Sequence, residues 1–409
     1  MSYSKPSFQL VRERKWERAT QVDHSIRESD FSPSASLDLI IKGQGVLLFQ
    51  VSRELSLDIF VDLVFENTES NETLSLRLYP EKITLLREDT ILADQPTQTW
   101  MNEERAFYWV SLDAQNQFIR LGIGEARLET EVFCYSFSHK YKSFLEGLSD
   151  LKYQTNQIIL LRQLRDPIIS HVPLVVKDTQ ELTMDDVASQ VVLPNAHLAP
   201  TAQRLYDTIS GKRFELNTPD FPEFSKAIEY SIATPGAWCN KKLQEKAGEF
   251  GDQNPKKVYL RITLGQNGGE SPGIPFVMEI WPAGCYSPIH NHAGAHAVIR
   301  VLHGEIKVKL FPFLGAGKPF GEQVFHPGDI TWISPTLNQF HQLVNPNEEG
   351  PTCITIQCYM YDESDTGHYD YFDYLDDHNQ INQYEPDSDM DFLSFKAQMK
   401  KEWLDRSAL

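Results

Sequence analysis

Three histidines carry the chemistry that this chain advertises. His290 and His292 stand two apart in YSPIHNH, and His341 follows in NQFHQLVN. In a strand, side chains two apart share a face, so the first pair can aim at one point. His341, on a later strand-like run, can complete a facial trio. Neutral imidazole suits Fe(II), Zn, Ni and Cu. Three protein donors leave positions open for water, O2 or substrate, which is a catalytic layout rather than a closed structural site. Of the other histidines nearby, His296 reads as a supporting or surface residue, and His303 and His326, beside Gly304 and Gly328, read as exposed.

Those donors need strands around them. From Val258 onward KVYLRITL, PFVMEIWPA, HAVIRVLHGEIKVKLFPF, GDITWIS, HQLVNP and CITIQCYMY follow one another, broken by Gly and Pro at short intervals. Six or more strands with histidines at their ends fit a double-sheet barrel of cupin type. The stretch before it predicts helices. KSFLEGLSDLKYQTNQIILLRQLRD mixes charge and apolar residues at helical spacing, Thr183 is an N-cap for TMDDVASQVV, and APTAQRLYDTISG ends at Gly211. PEFSKAIEYSIATPG stops near Pro235, and GAWCNKKLQEKAGEF follows. Earlier still, runs such as LDLIIKGQGVLLFQVS and AFYWVSLD, separated by NTESNET and DAQNQ, suggest a sandwich or jelly roll. The expected fold is therefore mostly β. It comprises an N-terminal β-sandwich-like domain (1–140), a helical linker and helical part of the catalytic domain (141–256), a cupin barrel (257–370) and an acidic C-terminal extension (371–409).

Bulk properties narrow the field. A chain of 409 residues suggests two or three domains, and 41% hydrophobic content with 11% aromatics excludes general disorder. A formal charge of −19 repels phosphate backbones, and KKLQEK (241–246) and KK (256–257) are the nearest basic patches, so no nucleic-acid partner is expected. The cysteines Cys134, Cys239, Cys285, Cys353 and Cys358 lack CxxC spacing and are odd in number, which argues against a disulfide framework. No apolar leader region opens the chain and no run reaches membrane-spanning length, so a soluble, cytoplasmic protein is expected.

The barrel region resembles known motifs. Gly284, five residues, His290-Asn-His292 and Gly304 resemble the first cupin motif, with Ala297 where that motif carries glutamate. Gly328, Pro335, His341 and Asn345 match the second motif more loosely. A three-His cupin without the glutamate resembles the thiol dioxygenases, specifically the cysteine dioxygenase family, over about residues 200–370. Tyr259-Leu-Arg261 matches that family's tyrosine-arginine pair, Ser287 to His296 its histidine core, and Thr355-Ile-Gln357-Cys-Tyr359 its terminal segment. The resemblance implies Fe(II) bound by His290, His292 and His341, and Arg261 as a bidentate clamp for a substrate carboxylate. It also implies Tyr359 near the reacting atoms and Tyr259 steering the same region. The reaction implied is addition of O2 to a thiol to give a sulfinate, with L-cysteine the first substrate choice and 3-mercaptopropionate the second. Two departures stand out: Ala297 replaces the crosslinking cysteine of mammalian members, and Gln357 replaces the histidine of the Ser-His-Tyr relay. Glutamine donates and accepts hydrogen bonds but does not titrate.

Two rival classes stay open. A three-His cupin could be a zinc or nickel isomerase or hydrolase, which would need nearby carboxylates; Glu279 and Glu305 are the nearest, without obvious convergence. It could equally be a non-catalytic sensor. The N-terminal domain resembles, over Phe107–Phe137, a small β domain named after farnesoic acid methyltransferase. Tyr108, Trp109 and Asn116 are its candidates for a protein or carbohydrate partner, with core packing as the plainer reading. Gly122 and Gly124 there suggest a tight turn or a close backbone approach, and Cys285 and Cys358 are candidates to line the barrel pocket.

Overall fold

Alternation of buried and exposed residues builds the first part of the molecule. In Val61–Asn67, Val61, Leu63 and Phe65 are buried while their neighbours are partly exposed, the period of a strand with one face on a core. The structure, a computed structural model, describes residues 34–51, 60–97, 107–154, 158–251, 253–265, 276–362 and 371–406. The chain divides into two units, residues 9–172 and 173–409.

The first unit carries β1 (Ser34–Asp38), β2 (Gln44–Val51), β3 (Val61–Asn67), β4 (Glu72–Tyr79), β5 (Lys82–Arg87), β6 (Thr90–Pro96), β7 (Tyr108–Asp113), β8 (Phe118–Ile123), β9 (Glu131–Ser136), β10 (Asp150–Gln154) and β11 (Ile158–Leu164). They form two antiparallel sheets, ordered β1-β10-β3-β4-β5-β6 and β11-β2-β7-β8-β9. The helix expected across 142–166 is confined to Lys142–Glu146. Gly147 ends it, and the next segments pair as strands, β10 between β1 and β3, and β11 on β2. Leu151 and Tyr153 alternate inward there, a two-residue period that the interspersed charges masked. The first unit therefore runs to residue 172 rather than ending near 140. Tyr108 and Trp109 belong to its core: both are fully buried, and the Trp109 indole N–H donates to Thr130 Oγ1 at 3.0 Å. Asn116 closes a turn on Asp113. Tyr108 and Trp109 therefore offer no face to a ligand, whereas Asn116 is exposed. Gly122 is required because a Cβ there would come within 2.1 Å of the Trp109 ring, and Gly124 adopts φ +87°.

The second unit continues with β12 (Val175–Lys177), β13 (Val192–Pro194), β14 (Leu260–Leu264), β15 (Phe276–Trp281), β16 (His296–His303), β17 (Ile306–Leu310), β18 (Gly321–Phe325), β19 (Ile330–Ile333), β20 (His341–Val344), β21 (Cys353–Met360), β22 (Phe372–Leu375), β23 (Ile381–Tyr384) and β24 (Met390–Asp391). One barrel sheet runs β13-β12-β19-β16-β21-β15-β14-β24. Facing it are β18-β17-β20 and the β22-β23 hairpin, joined because His290 bridges to both His341 and Tyr374. The result is a cupin-type double-sheet barrel filled by Trp281, Val301, Ile306, Val308, Phe325 and Leu343.

Helices precede the barrel as the capping signals indicate. Thr183 and Asp186 form a reciprocal capping box on Met184–Ser189. Pro200 opens Pro200–Ile209, whose C-terminal carbonyl at Ile209, with that of Gly211, accepts from Arg300 at 2.8 Å. The stretch 371–409 is more than an acidic surface extension. Besides the hairpin it supplies helix Phe392–Asp405, whose Phe395 packs on Phe224 of helix Phe224–Ala233 with ring centroids 6.0 Å apart.

Candidate metal centre

Backbone pairing sets the histidines in place. His290 and His341 exchange both N–H···O bonds, at 3.0 and 3.1 Å, so they sit directly opposite one another. His341 begins β20, as anticipated, but His290 and His292 lie in an extended run between β15 and β16 rather than within a regular strand. Single-residue bridges and polar anchors hold that run. Ser287 exchanges backbone and hydroxyl bonds with Leu343, and Asn291 bonds Asp373 through side chain and main chain. After His292 the chain turns sharply: Ala293 (φ 51°) and Gly294 (φ 77°) are left-handed, and Ala295 N–H donates to the His292 carbonyl at 2.8 Å. A non-glycine residue at positive φ is strained, and Asn291 Oδ1 helps hold it by accepting from Ala293 N–H at 3.2 Å.

The trio converges, with its donor atoms all within 4.8 Å of one another. His290 Nδ1 lies 3.0 Å from the Pro288 carbonyl and His341 Nδ1 3.0 Å from that of Asn338. A carbonyl only accepts, so each Nδ1 carries the proton and each Nε2 keeps its lone pair. His292 Nε2 and His341 Nε2 approach to 3.3 Å. Donors about 2.1 Å from one shared ion and at right angles lie about 3 Å apart, so this spacing fits a divalent cation. Burial pushes all three imidazoles toward the neutral form, His290 down to about 4, His341 to about 3 and His292 well below its ordinary value. The site thus presents three uncharged nitrogen donors. Ala297, where a carboxylate donor would stand, packs in an apolar cluster with Val277, Ile299, Ile333 and Tyr359.

Around the open side lies a pocket of about 440 Å³ including its mouth. Arg261, Tyr259, Gln357 and Tyr359, the substrate residues that the sequence nominates, all line it together with His290 and His292. Tyr359 stacks on the His292 ring (centroids 5.3 Å apart), and Phe372 meets that ring edge-on at 4.6 Å. Tyr259 stacks on Trp281 at 4.2 Å. Arg261 is 7% exposed, and its guanidinium makes no hydrogen bond or ion pair with any described residue; its backbone N–H donates to the Asp389 carboxylate at 2.7 Å and its carbonyl accepts from Asp389 N–H at 2.8 Å. Burial works against its charge, while Tyr359, Glu279, Tyr259 and Tyr384 outweigh that and hold it protonated.

Phe250, Leu343, Phe372, Tyr374 and Tyr384 also line the pocket without any motif to nominate them, and so does Glu279. Glu279 was set aside for want of convergence, yet it is buried, reaches Gln357 Nε2, and has its carboxyl pushed up to about 7, chiefly by burial. The available signal was one charge inside the apolar run VMEIW. Glu305 lies elsewhere, paired with His326 at 3.5 Å. His296 is fully buried, 3.1 Å from the Asp362 carboxylate, so it is no surface residue. Cys285 and Cys358 do not line the pocket; burial raises their thiols to about 11 and 12.

No known family's sequence profile matches the chain. Among solved structures, oxalate oxidase in complex with the substrate analogue glycolate is 18% identical, covering 25% of this chain and 51% of that one, with a TM-score of 0.21. The Schizosaccharomyces pombe Cnp3 cupin domain is 12% identical over 25% of this chain and 65% of its own, at 0.21. DMSP lyase DddQ from Ruegeria pomeroyi DSS-3 is 20% identical over 26% and 49%, at 0.20. The chain thus spans about half the length of the first and third of these, and 65% of the second.

Proposed function

We propose that this protein is an Fe(II)-dependent thiol dioxygenase that converts a carboxylate-bearing thiol to its sulfinate, RSH + O2 → RSO2H. L-Cysteine is the first substrate choice and 3-mercaptopropionate the second. The observation that carries the reading is Arg261. A buried guanidinium with no hydrogen-bonded anion is costly, and Arg261, which feels Glu279 only through the field between them, lines the same pocket as the neutral His290 and His292. Its planar fork meets a carboxylate bidentately and so fixes the far end of the substrate. The three uncharged donors leave a ferrous ion able to accept an anionic thiolate, and that ion would carry electrons between sulfur and O2. Tyr359, stacked on His292, sets its hydroxyl over the pocket, where it can hold a hydrogen bond to the reacting sulfur or oxygen. The aromatic wall of Phe250, Tyr259, Phe372 and Tyr384 limits water.

A cytoplasmic location, where thiols stay reduced, suits this chemistry and the five free cysteines. No helix among the described residues is long and apolar enough to cross a membrane. For the first unit we propose a protein or carbohydrate partner, bound through groups other than Tyr108 and Trp109.

Glu279 favours one second reading, a metal-dependent isomerase or hydrolase, because it brings a titratable carboxylate to the pocket. An oxygen electrode separates the two. Iron-loaded protein should consume O2 with L-cysteine or 3-mercaptopropionate and release sulfinate, identified by mass, in equal amounts. Absence of O2 uptake with every carboxylated thiol would overturn the dioxygenase assignment.

A further inference from the structure

The pocket holds a hydrogen-bonded line that the proposed chemistry leaves unexplained. Arg261, Glu279 and Thr355 are register partners across β14, β15 and β21. Thr355, Gln357 and Tyr359 alternate along β21 and so share one face. The Tyr359 hydroxyl donates to Gln357 Oε1. Gln357 Nε2 in turn donates to Glu279 Oε2 and lies 3.3 Å from Thr355 Oγ1. All four side chains are buried.

We propose that Glu279 is a positioning residue: through the Gln357 amide, its protonation state decides whether the Tyr359 hydroxyl offers the pocket a lone pair or a proton.

An ionised carboxylate only accepts hydrogen bonds. With Glu279 ionised, the amide must turn its NH2 toward the carboxylate and its oxygen toward Tyr359. Tyr359 has one proton, which is then committed to Gln357, so only lone pairs face the pocket. Once protonated, Glu279 can donate to the amide oxygen. The amide then turns over, its NH2 donates to the Tyr359 oxygen, and the phenolic O–H is released toward the pocket. Thr355 suits either orientation, because a hydroxyl both donates and accepts. Gln357 itself never titrates; it transmits the orientation.

The surroundings place the switch near neutrality. Burial raises the Glu279 carboxyl to about 7, against the lowering effects of Arg261, the Gln357 hydrogen bond and Lys246. The other titratable groups facing it are Tyr259, Tyr359 and Cys353, each raised chiefly by burial and further by Glu279. A bound anion on Arg261 would screen that cation from Glu279 and favour the protonated state, so substrate binding and the turn of the amide are linked.

The inference takes from the proposed function only that Tyr359 faces the reacting atoms, and its test needs no turnover. Infrared difference spectra would be recorded across neutral pH on metal-free protein carrying ring-labelled tyrosine. The wild type should show loss of a protonated-carboxyl band and a shift of the Tyr359 phenolic C–O band (identified by its absence from Tyr359→Phe), with one common midpoint. Glu279→Gln, close in shape, should lose both changes. Gln357→Met should keep the carboxyl change and lose the tyrosine shift. A Tyr359 band indifferent to pH in the wild type, or a shift that survives in Glu279→Gln or Gln357→Met, would overturn the assignment. Failure of O2 uptake would leave these spectra as predicted, so the two proposals fail separately.

Discussion

Two of the buried arginines are held in opposite ways. In the first unit Arg127, 2% exposed, is surrounded: Glu125 lies at 3.4 Å, Glu129 at 2.9 Å, and the Val172 carbonyl accepts from it at 2.6 Å. In the barrel Arg261, 7% exposed, has no such partner among the described residues. A charge taken from water needs compensation. Arg127 has its compensation within the fold and is structural. Arg261 has only the field of Glu279 and the nearby tyrosines, with no hydrogen bond or ion pair to its guanidinium among the described residues, and that unused fork is what the proposed carboxylate would fill. The same contrast runs through the neighbouring rings. The Trp109 N–H is satisfied by Thr130, whereas His292 Nδ1 and the Trp281 indole N–H in the barrel have no hydrogen-bond partner among the described residues.

That contrast can be broken by experiment. Arg127→Met removes the guanidinium that Glu125 and Glu129 both face, and should lower unfolding free energy by about 3–5 kcal/mol in a denaturant titration. Metal content should be unchanged. Arg261→Met should do the reverse. Stability should stay within about 1 kcal/mol of wild type, since a buried charge is replaced by an apolar chain of similar length. Turnover of a carboxylated thiol should fall about 100-fold in kcat/KM, the loss of a charge-assisted bidentate bond. If Arg261→Met were the more destabilising of the two, the functional reading of that arginine would be wrong.

Smaller effects sharpen the comparison. Gly122→Ala drives a Cβ into the Trp109 ring and should destabilise by about 1–3 kcal/mol, read by calorimetry, with barrel properties intact. Glu279 should show in the pH dependence of stability. Its folded carboxyl titrates near 7, above the ordinary value of 4.5. The folded state therefore holds that proton more tightly than the unfolded chain. Its contribution is whole below about 4.5 and is lost as pH rises through about 7. The difference in unfolding free energy between wild type and Glu279→Gln should shift across that window in the sense that favours the wild type at low pH.

Much of the site could be read from sequence, for identifiable reasons. The H-x-H spacing and the later His341 announce convergence because few other arrangements need neutral imidazoles at such intervals. Arg261 and Tyr359 came through matching of short motifs. What escaped depended on register and on distant pairing. The H-x-H run behaves like a strand only because His290 bridges to segments on both sides, a fact set by residues more than thirty positions away. Glu279 could not be placed beside Gln357 until β15 and β21 were aligned, with Glu279 opposite Thr355. The segment after Tyr371 looked like a solvated acidic face because Asp and Asn outnumber the aromatics that turn inward. Residues 158–164 continue a run from 142 that mixes charged and apolar residues at helical spacing, while their pairing with β2 decides the outcome.

The hairpin at 372–384 has a consequence for the newborn chain. Every metal donor lies at or before residue 341, yet Tyr374 supplies half of the main-chain pairing around His290, and Asp373 anchors the loop between the first two donors. During vectorial synthesis the donors emerge first and wait for residues 371–384 before the pocket has all its walls. Capture of the ion in its final geometry is thereby deferred until the barrel is nearly complete.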